Sequence, residues 1–200
     1  GTQEAAPKFF DEITDNNVQG FNMSATTDGY KTALYLLKNQ DQYDINMIIV
    51  PGMTQANDSA LTTLTKEIAE ARGDAFFLVD PEAHGQTSIP ASVVMGGVIA
   101  FNDKVAAEWY APAGLNRGGI GAAIQAERGL THANRDTLYE SRINPLATFP
   151  GQGVCVWGQK TLQKRATALD RVNVRRLLIN LKKFVASTTK FLVFENNTST

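Results

Sequence analysis

The stretch "DINMIIVPGMTQANDSALTTLTKEIAEARGDAFFLVDP", Asp44 to Pro81, sets the fold. Its first apolar run stops at Pro51-Gly52, the pattern of a buried strand. Leu61, Leu64, Ile68 and Ala71 then recur at helical spacing, and Gly73 ends the repeat. "DAFFLVDP" is a second buried strand closed by Pro81. Strand, helix and strand at these separations predict a βαβ unit with a parallel pair and a right-handed crossover. The class read from this is α/β, with α+β as the alternative: a mixed central sheet holding the βαβ unit, flanked by helices.

Outward from that unit, residues 1–27 are polar and turn-rich and predict an arm or irregular entry, with 28–200 as one core domain. Asp28 is placed to cap a helix through "YKTALYLLKNQ", where Tyr30, Leu34 and Leu37, or Tyr30, Ala33 and Leu37, share a face. "SIPASVVMGGVIAFNDKVAAEW" predicts a helix opened by Ser88 or Pro90, whose Gly96 and Gly97 allow close packing. "YAPAGLNRGGIG" is irregular, "ANRDTLYESRINP" is a short helix cut off at Pro145, and "GVCVWGQKT" is a strand leading into a turn. A long C-terminal amphipathic helix follows, capped by Asp170. Val174, Leu177, Leu178, Leu181, Phe184 and Val185 form its apolar stripe, with Arg175, Arg176, Lys182 and Lys183 off that stripe or at its edge.

The chain has 200 residues and a formal net charge of −1, which hides an asymmetry. Residues 1–100 carry 5 Lys/Arg against 13 Asp/Glu, a balance of −8; residues 101–200 carry 14 against 7, a balance of +7. An acidic half repels phosphates, so nucleic acid is a poor partner. The split suits contacts between copies, acidic patch to basic patch, or two solvated faces of one domain. A single cysteine, Cys155, excludes an internal disulfide and fits a reducing compartment. No apolar run reaches the ~20 residues of a membrane helix. The first residues lack the features of a signal peptide and an initiator Met, which reads as a processed chain or a piece of a longer one.

"GQGVCVWGQKT", Gly151 to Thr161, nearly spells a phosphate-binding loop. That loop needs Lys-Ser/Thr directly after its second glycine, and here Gln159 intervenes. Val154, Cys155, Val156 and Trp157 are β-prone and favour an extended strand, on which Cys155 reads as a buried, inert thiol. His84 and His132 are far apart and lack partners at ligand spacing, so neither a metal nor a cofactor is expected. The catalytic alternative is a small α/β enzyme, a hydrolase or nucleotide binder, using the strand-end loops near Asp80 and His84. That pair reads more simply as solvated loop side chains. Arg171, Arg175, Arg176, Lys182 and Lys183 form a basic helix; arginine's planar fork points to ion pairs between elements or between subunits.

The second half resembles the tail sheath proteins of contractile-tailed bacteriophages. The resemblance rests on five ordered motifs: Pro112–Gly114 with Asn116–Gly118, Leu138–Tyr139 with Ile143–Pro145, Trp157–Thr161, Arg171–Arg176, and Phe194–Asn196. Its signature positions include Pro112, Gly114, Asn116, Arg117, Asn144, Pro145, Trp157 and Gly158. The resemblance implies a non-enzymatic virion subunit, made and assembled in the host cytoplasm. Such subunits form hexameric rings stacked helically around a tail tube, and the lattice contracts to drive the tube through the host envelope. They are also linked by arms that add strands to a neighbour's sheet. Partners implied are other sheath subunits, the tube protein and the baseplate, without nucleic acid or membrane insertion. The family continues past its Phe-Glu-Asn motif with a tube-contacting helix and linking strands, so this chain is expected to be the core of a larger sheath protein, monomeric alone. Replacing Arg175 and Arg176 by Glu is expected to abolish assembly and leave the monomer folded, unless the two arginines hold the core together.

Overall fold

The computed structural model describes residues 29–82 and 89–196. The arm expected over 1–27 lies outside them, as do Asp28, Ser88 and His84. Within them α1 (Gly29–Leu36), β1 (Met47–Thr54), α2 (Ser59–Arg72) and β2 (Phe76–Asp80) come first, followed by α3 (Ala91–Val105), α4 (Gly114–Arg117) and α5 (His132–Glu140). The chain then forms β3 (Leu146–Phe149), β4 (Gly153–Val156) and α6 (Val172–Thr188), with 3-10 turns at Ala168–Asp170 and Lys190–Leu192.

The βαβ unit forms as its spacing predicts. β1 and β2 are parallel, with Met47 opposite Phe76 and Ile49 opposite Leu78, before the register shifts so that Thr54 meets Asp80. The shift spans Pro51, which has no N–H to give, and Gly52, whose φ is +87°. α2 ends at Gly73, which takes a left-handed φ of +63° and donates its N–H to the Ala69 carbonyl. Leu61 and Ile68 join Leu34 and Met53 in a buried cluster, against which Tyr30, Leu37, Val50, Leu64 and Phe77 pack. Ala71 is exposed instead, because the buried row of α2 runs Leu61, Thr65, Ile68 and Arg72.

The strands divide into two two-stranded sheets where one mixed sheet was expected. β3 and β4 form an antiparallel hairpin with Ala147 opposite Cys155, turned through Gly151 and Gly153 at φ of +74° and +78°. Two causes keep the sheets apart. The second edge of β4 is occupied: the Val156 N–H donates to the Gly118 carbonyl, and the Ile120 N–H donates to the Val154 carbonyl, each at 2.8 Å. In addition α3 engages both sheets. It packs on β1 and β2, and its Val98 joins Ile120, Val154 and Val156 in a second buried cluster. A Cβ on Gly96 would come within 2.7 Å of Ile49 Cδ1, so this glycine sets how closely α3 approaches β1, whereas Gly97 faces open space. α3 starts at Pro90, one of its two expected openings, and stops at Val105, short of Trp109.

Candidate functional site

Three of the family-like motifs meet at one junction, where the end of α5, the irregular stretch following the hairpin and the approach to α6 converge. Asn144 sits at its centre. Its Nδ2 donates to the Lys160 carbonyl at 2.8 Å, and its Oδ1 accepts the Lys160 N–H at 2.7 Å. Next to it, the Pro145 carbonyl accepts the Trp157 N–H at 2.8 Å. Gly158 is required there for space: a Cβ would fall 2.8 Å from Asn144 Oδ1 and 3.0 Å from the Tyr139 ring. Lys160 stands 4.0 Å over that ring and donates to the Tyr139 carbonyl, while the Tyr139 hydroxyl accepts from Arg171 at 2.5 Å. Trp157 is exposed but leans on Phe149, ring centroids 4.6 Å apart.

Local rules explain why the chain can turn here. The Ile143 N–H donates to the Leu138 carbonyl and the Arg142 N–H to that of Tyr139, the bonds of a Schellman ending for α5. The left-handed position, usually glycine, is Arg142 with φ of +64°. Its guanidinium donates to the Lys164 carbonyl at 2.9 Å, tying down the loop after the junction. α5 therefore stops at Glu140, five residues before Pro145.

The Pro112–Gly118 motif lies apart from this junction. Pro112 is fully buried, Gly114 opens α4 with φ of +81°, and Asn116 is exposed. Arg117 donates to the Ala111 carbonyl at 3.2 Å and lies over the Tyr110 ring. Gly118 permits the chain to fold back, since a Cβ would meet the Ala113 backbone at 2.7 Å.

The five basic residues of the α6 region all reach groups of the same chain. Arg171 also contacts Asp170 at 3.3 Å. Arg175 donates to Gln163 at 2.6 Å. Arg176 is buried and forks onto the Asp103 carboxylate of α3 at 2.8 and 2.5 Å. Lys182 donates to the Arg72 carbonyl at 3.0 Å, and Lys183 reaches Asp44 at 2.5 Å and the Ile45 carbonyl at 2.8 Å. The Lys183 ammonium holds the Asp44 carboxyl below its ordinary pKa. Among the described residues, two ion pairs, Lys183–Asp44 and Arg128–Glu82, join the acidic half to the basic half within one chain.

Two expectations about this helix change. Asp170 is not its cap: Arg171 occupies that position in extended conformation without a side-chain cap bond. The cause is a backbone bridge between Lys160 and Arg171, which draws the chain into strand-like pairing just before the helix. The apolar stripe is also not the buried side. The buried residues of α6 are Val172, Arg176 and Ile179.

A larger buried charge was not visible as such in the sequence. Arg72, 2 % exposed, forks onto Asp74 at 2.8 and 3.0 Å, donates to the Tyr43 carbonyl at 2.8 Å and also bonds the Leu37 carbonyl. The available signal was its position, four residues after Ile68 on the buried row of α2.

Of the expected solvated pair, His84 lies outside the described residues, and Asp80 is not solvated. Asp80 is buried and accepts from the Ser92 N–H at 2.7 Å and the Ser92 hydroxyl at 2.5 Å, anchoring the first turn of α3. Cys155 is buried in β4, and burial pushes its thiol pKa up, which disfavours the nucleophilic thiolate. An open groove of about 430 Å³ between β1 and α3 is lined mainly by apolar groups such as Met47, Ile49 and Val93, with the Asp103–Arg176 pair among its polar members. Among the described residues, no cluster of three or more His, Cys, Asp or Glu could hold a metal, and no helix is long and apolar enough to cross a membrane.

No family model matches the chain. It is 41% identical over 109 residues, 54% of its length, to the tail sheath protein of Vibrio phage KVP40, and 37% identical over 109 residues to that of Enterobacteria phage T4. The matched stretch spans only 16% of either relative. Among solved structures it resembles the contracted sheath complex of an extracellular contractile injection system, with a TM-score of 0.52 and 26% identity over 66% of this chain and 38% of the other. Over its matched segment, the chain is a relative of the tail sheath proteins of contractile-tailed bacteriophages.

Proposed function

We propose that this chain is part of a structural subunit of a contractile tail sheath, acting in the virion after assembly in the host cytoplasm. In this reading, subunits pack as hexameric rings stacked helically around a tail tube above a baseplate. Contraction drives the tube through the host envelope. The subunit makes and breaks no covalent bond; the work comes from a lattice relaxing between two packings. The observation that carries the reading is the 41% identity over 109 residues to a phage tail sheath protein.

The local chemistry supports it. Asn144, Lys160 and Arg171 bind backbone and ring groups of their own chain, and Gly158 leaves room for them, which suits a subunit that must keep its shape under load. Asp80, the carboxylate on which a hydrolase reading would depend, anchors a helix. The test is a chimera in which the matched segment of the Vibrio phage sheath protein is replaced by this chain's counterpart. Tubular polymers in negative-stain electron microscopy are the expected result; a folded chimera that forms no tubes would count against the reading.

A further inference from the structure

The side chain of Lys183 leaves α6 and ends among three oxygens from consecutive residues just before β1. Its Nζ donates to Asp44 Oδ1 at 2.5 Å, to the Ile45 carbonyl at 2.8 Å and to Asn46 Oδ1 at 2.5 Å. An ion pair needs only the first of these. The third sets a primary amine against a side-chain amide 137 residues away, with a carboxylate on the same nitrogen. An amine bonded in this way to an amide oxygen lies roughly 3–3.5 Å from the amide carbon, the separation of a near-attack geometry. Both reacting groups are also held. The Lys183 side chain is 22% exposed, and the Asn46 carbonyl accepts the Phe76 N–H at 2.9 Å, fixing its backbone to β2. The Asp44 side chain, 86% exposed, is open to exchange protons with water.

We propose that Lys183 and Asn46 join in an intramolecular isopeptide bond, with the Asp44 carboxylate carrying the protons. Asp44 takes one proton from the Lys183 ammonium, and the freed Nζ pair adds to Asn46 Cγ while the carbonyl electrons move onto Oδ1. Asp44 returns that proton to Nδ2. The Cγ–Nδ2 bond then breaks, ammonia leaves, and the second proton shed by Nζ departs with it as ammonium. One amide C–N bond forms as another breaks, so no oxidant, reductant or metal is required, and loss of ammonia to water draws the step forward. The product ties α6 to the entry of β1. A comparison lies within the same chain: Lys66 donates to Gln55 Oε1, yet it pairs with no carboxylate among the described residues. The inference stands on this geometry and is independent of the function proposed above.

Intact-mass spectrometry of the denatured chain, after the folded chain has stood at mildly alkaline pH, tests this. More lysine amines are unprotonated there. The unmodified chain should lose the mass of one ammonia, and its proteolytic digest should yield a branched peptide joining the Lys183 and Asn46 segments. Lys183→Arg, which keeps the charge without the amine, and Asn46→Ala, which removes the amide, should lose nothing at this site and give no branch. Asp44→Ala should form the branch at least about tenfold more slowly. Unchanged far-ultraviolet circular dichroism confirms that each surface variant is folded. A folded unmodified chain that keeps its full mass overturns the proposal. So does an ammonia loss at Asn46 that persists in Lys183→Arg, since that is ring closure of Asn46 onto its own backbone. A branch between Lys66 and Gln55 as abundant as the other, or an Asp44→Ala rate equal to that of the unmodified chain, overturns the part given to the carboxylate.

Discussion

Around the parallel pair, α1 and α2 meet the sheet through apolar side chains: Leu34, Met53, Leu61 and Ile68. Around the hairpin, β4, α3 and Ile120 supply a second apolar cluster, and the chain beyond it is fixed by polar side chains that grip backbone. Asn144 binds both the N–H and the carbonyl of Lys160, and Lys160 reaches back to the Tyr139 carbonyl. Burial of apolar area is non-directional and tolerates small shifts. Hydrogen bonds to fixed backbone groups do not, since each weakens steeply with distance and angle. The first region therefore owes its form to periodicity, and the second to particular residues at particular places.

Arg72 offers the hardest test of that contrast, because it is a charge inside the apolar region. Arg72→Met should lower stability by about 3–5 kcal/mol, since Asp74 is left buried without its partner. Urea unfolding should register the loss, and adding Asp74→Leu should recover much of it. Loss of under about 1 kcal/mol would mean that apolar packing alone holds this half.

The next largest effect separates two neighbouring arginines. Arg176→Glu sets two carboxylates against each other across α6 and α3 and should cost about 2–3 kcal/mol. Arg175→Glu loses only a bond to Gln163 and should cost about 0.5–1.5 kcal/mol. The joint substitution is therefore expected to weaken the fold itself, which favours the arginines as internal ties over an assembly defect in an intact monomer. Equal midpoints for the two single variants in thermal unfolding would refute the distinction.

Within the junction, Asn144→Ala should cost about 1–3 kcal/mol by leaving the Lys160 backbone groups unpaired. Gly158→Ala should cost a similar amount, about 1–3 kcal/mol, by overpacking. The two residues touch, so their effects should fall short of additivity in a double-mutant cycle. Additive losses would show the junction to be looser than its geometry implies.

The smallest effect is at the surface. Lys183 lowers the Asp44 pKa in the folded state, so this pair's contribution is present above the ordinary carboxylate pKa and is lost as pH falls through the lowered folded value. Lys183→Met should return Asp44 towards its ordinary value in an NMR titration, with a slight change in acid stability. An unmoved Asp44 would assign the shift to something other than the lysine.

Periodicity and turn residues made the βαβ unit legible: the apolar row of α2, the stop at Gly73 and the strand after Gly153 all follow from local rules. The junction was legible only as a pattern of residues resembling a family. No spacing rule states that Asn144 must face Lys160 or that Gly158 must admit the Tyr139 ring. β3 was missed because "LATF" is short, and its pairing partner supplies the hydrogen bonds that make it a strand.

The sequence by itself determined the longer helices and the two strands of the βαβ unit, because those choices depend on neighbours a few residues away, while α4 and β3 escaped it. It also carried the sheath resemblance, because motif order survives without any knowledge of contacts. Only the tertiary structure decided which side of α6 is buried. Its stripe of Leu177, Leu181 and Phe184 has the spacing of a core face, yet the buried line holds Arg176, whose charge is compensated by Asp103 73 residues earlier. Such pairing between distant residues has no local signature, so the amphipathic pattern alone could not say whether this face packs inward or waits for another surface.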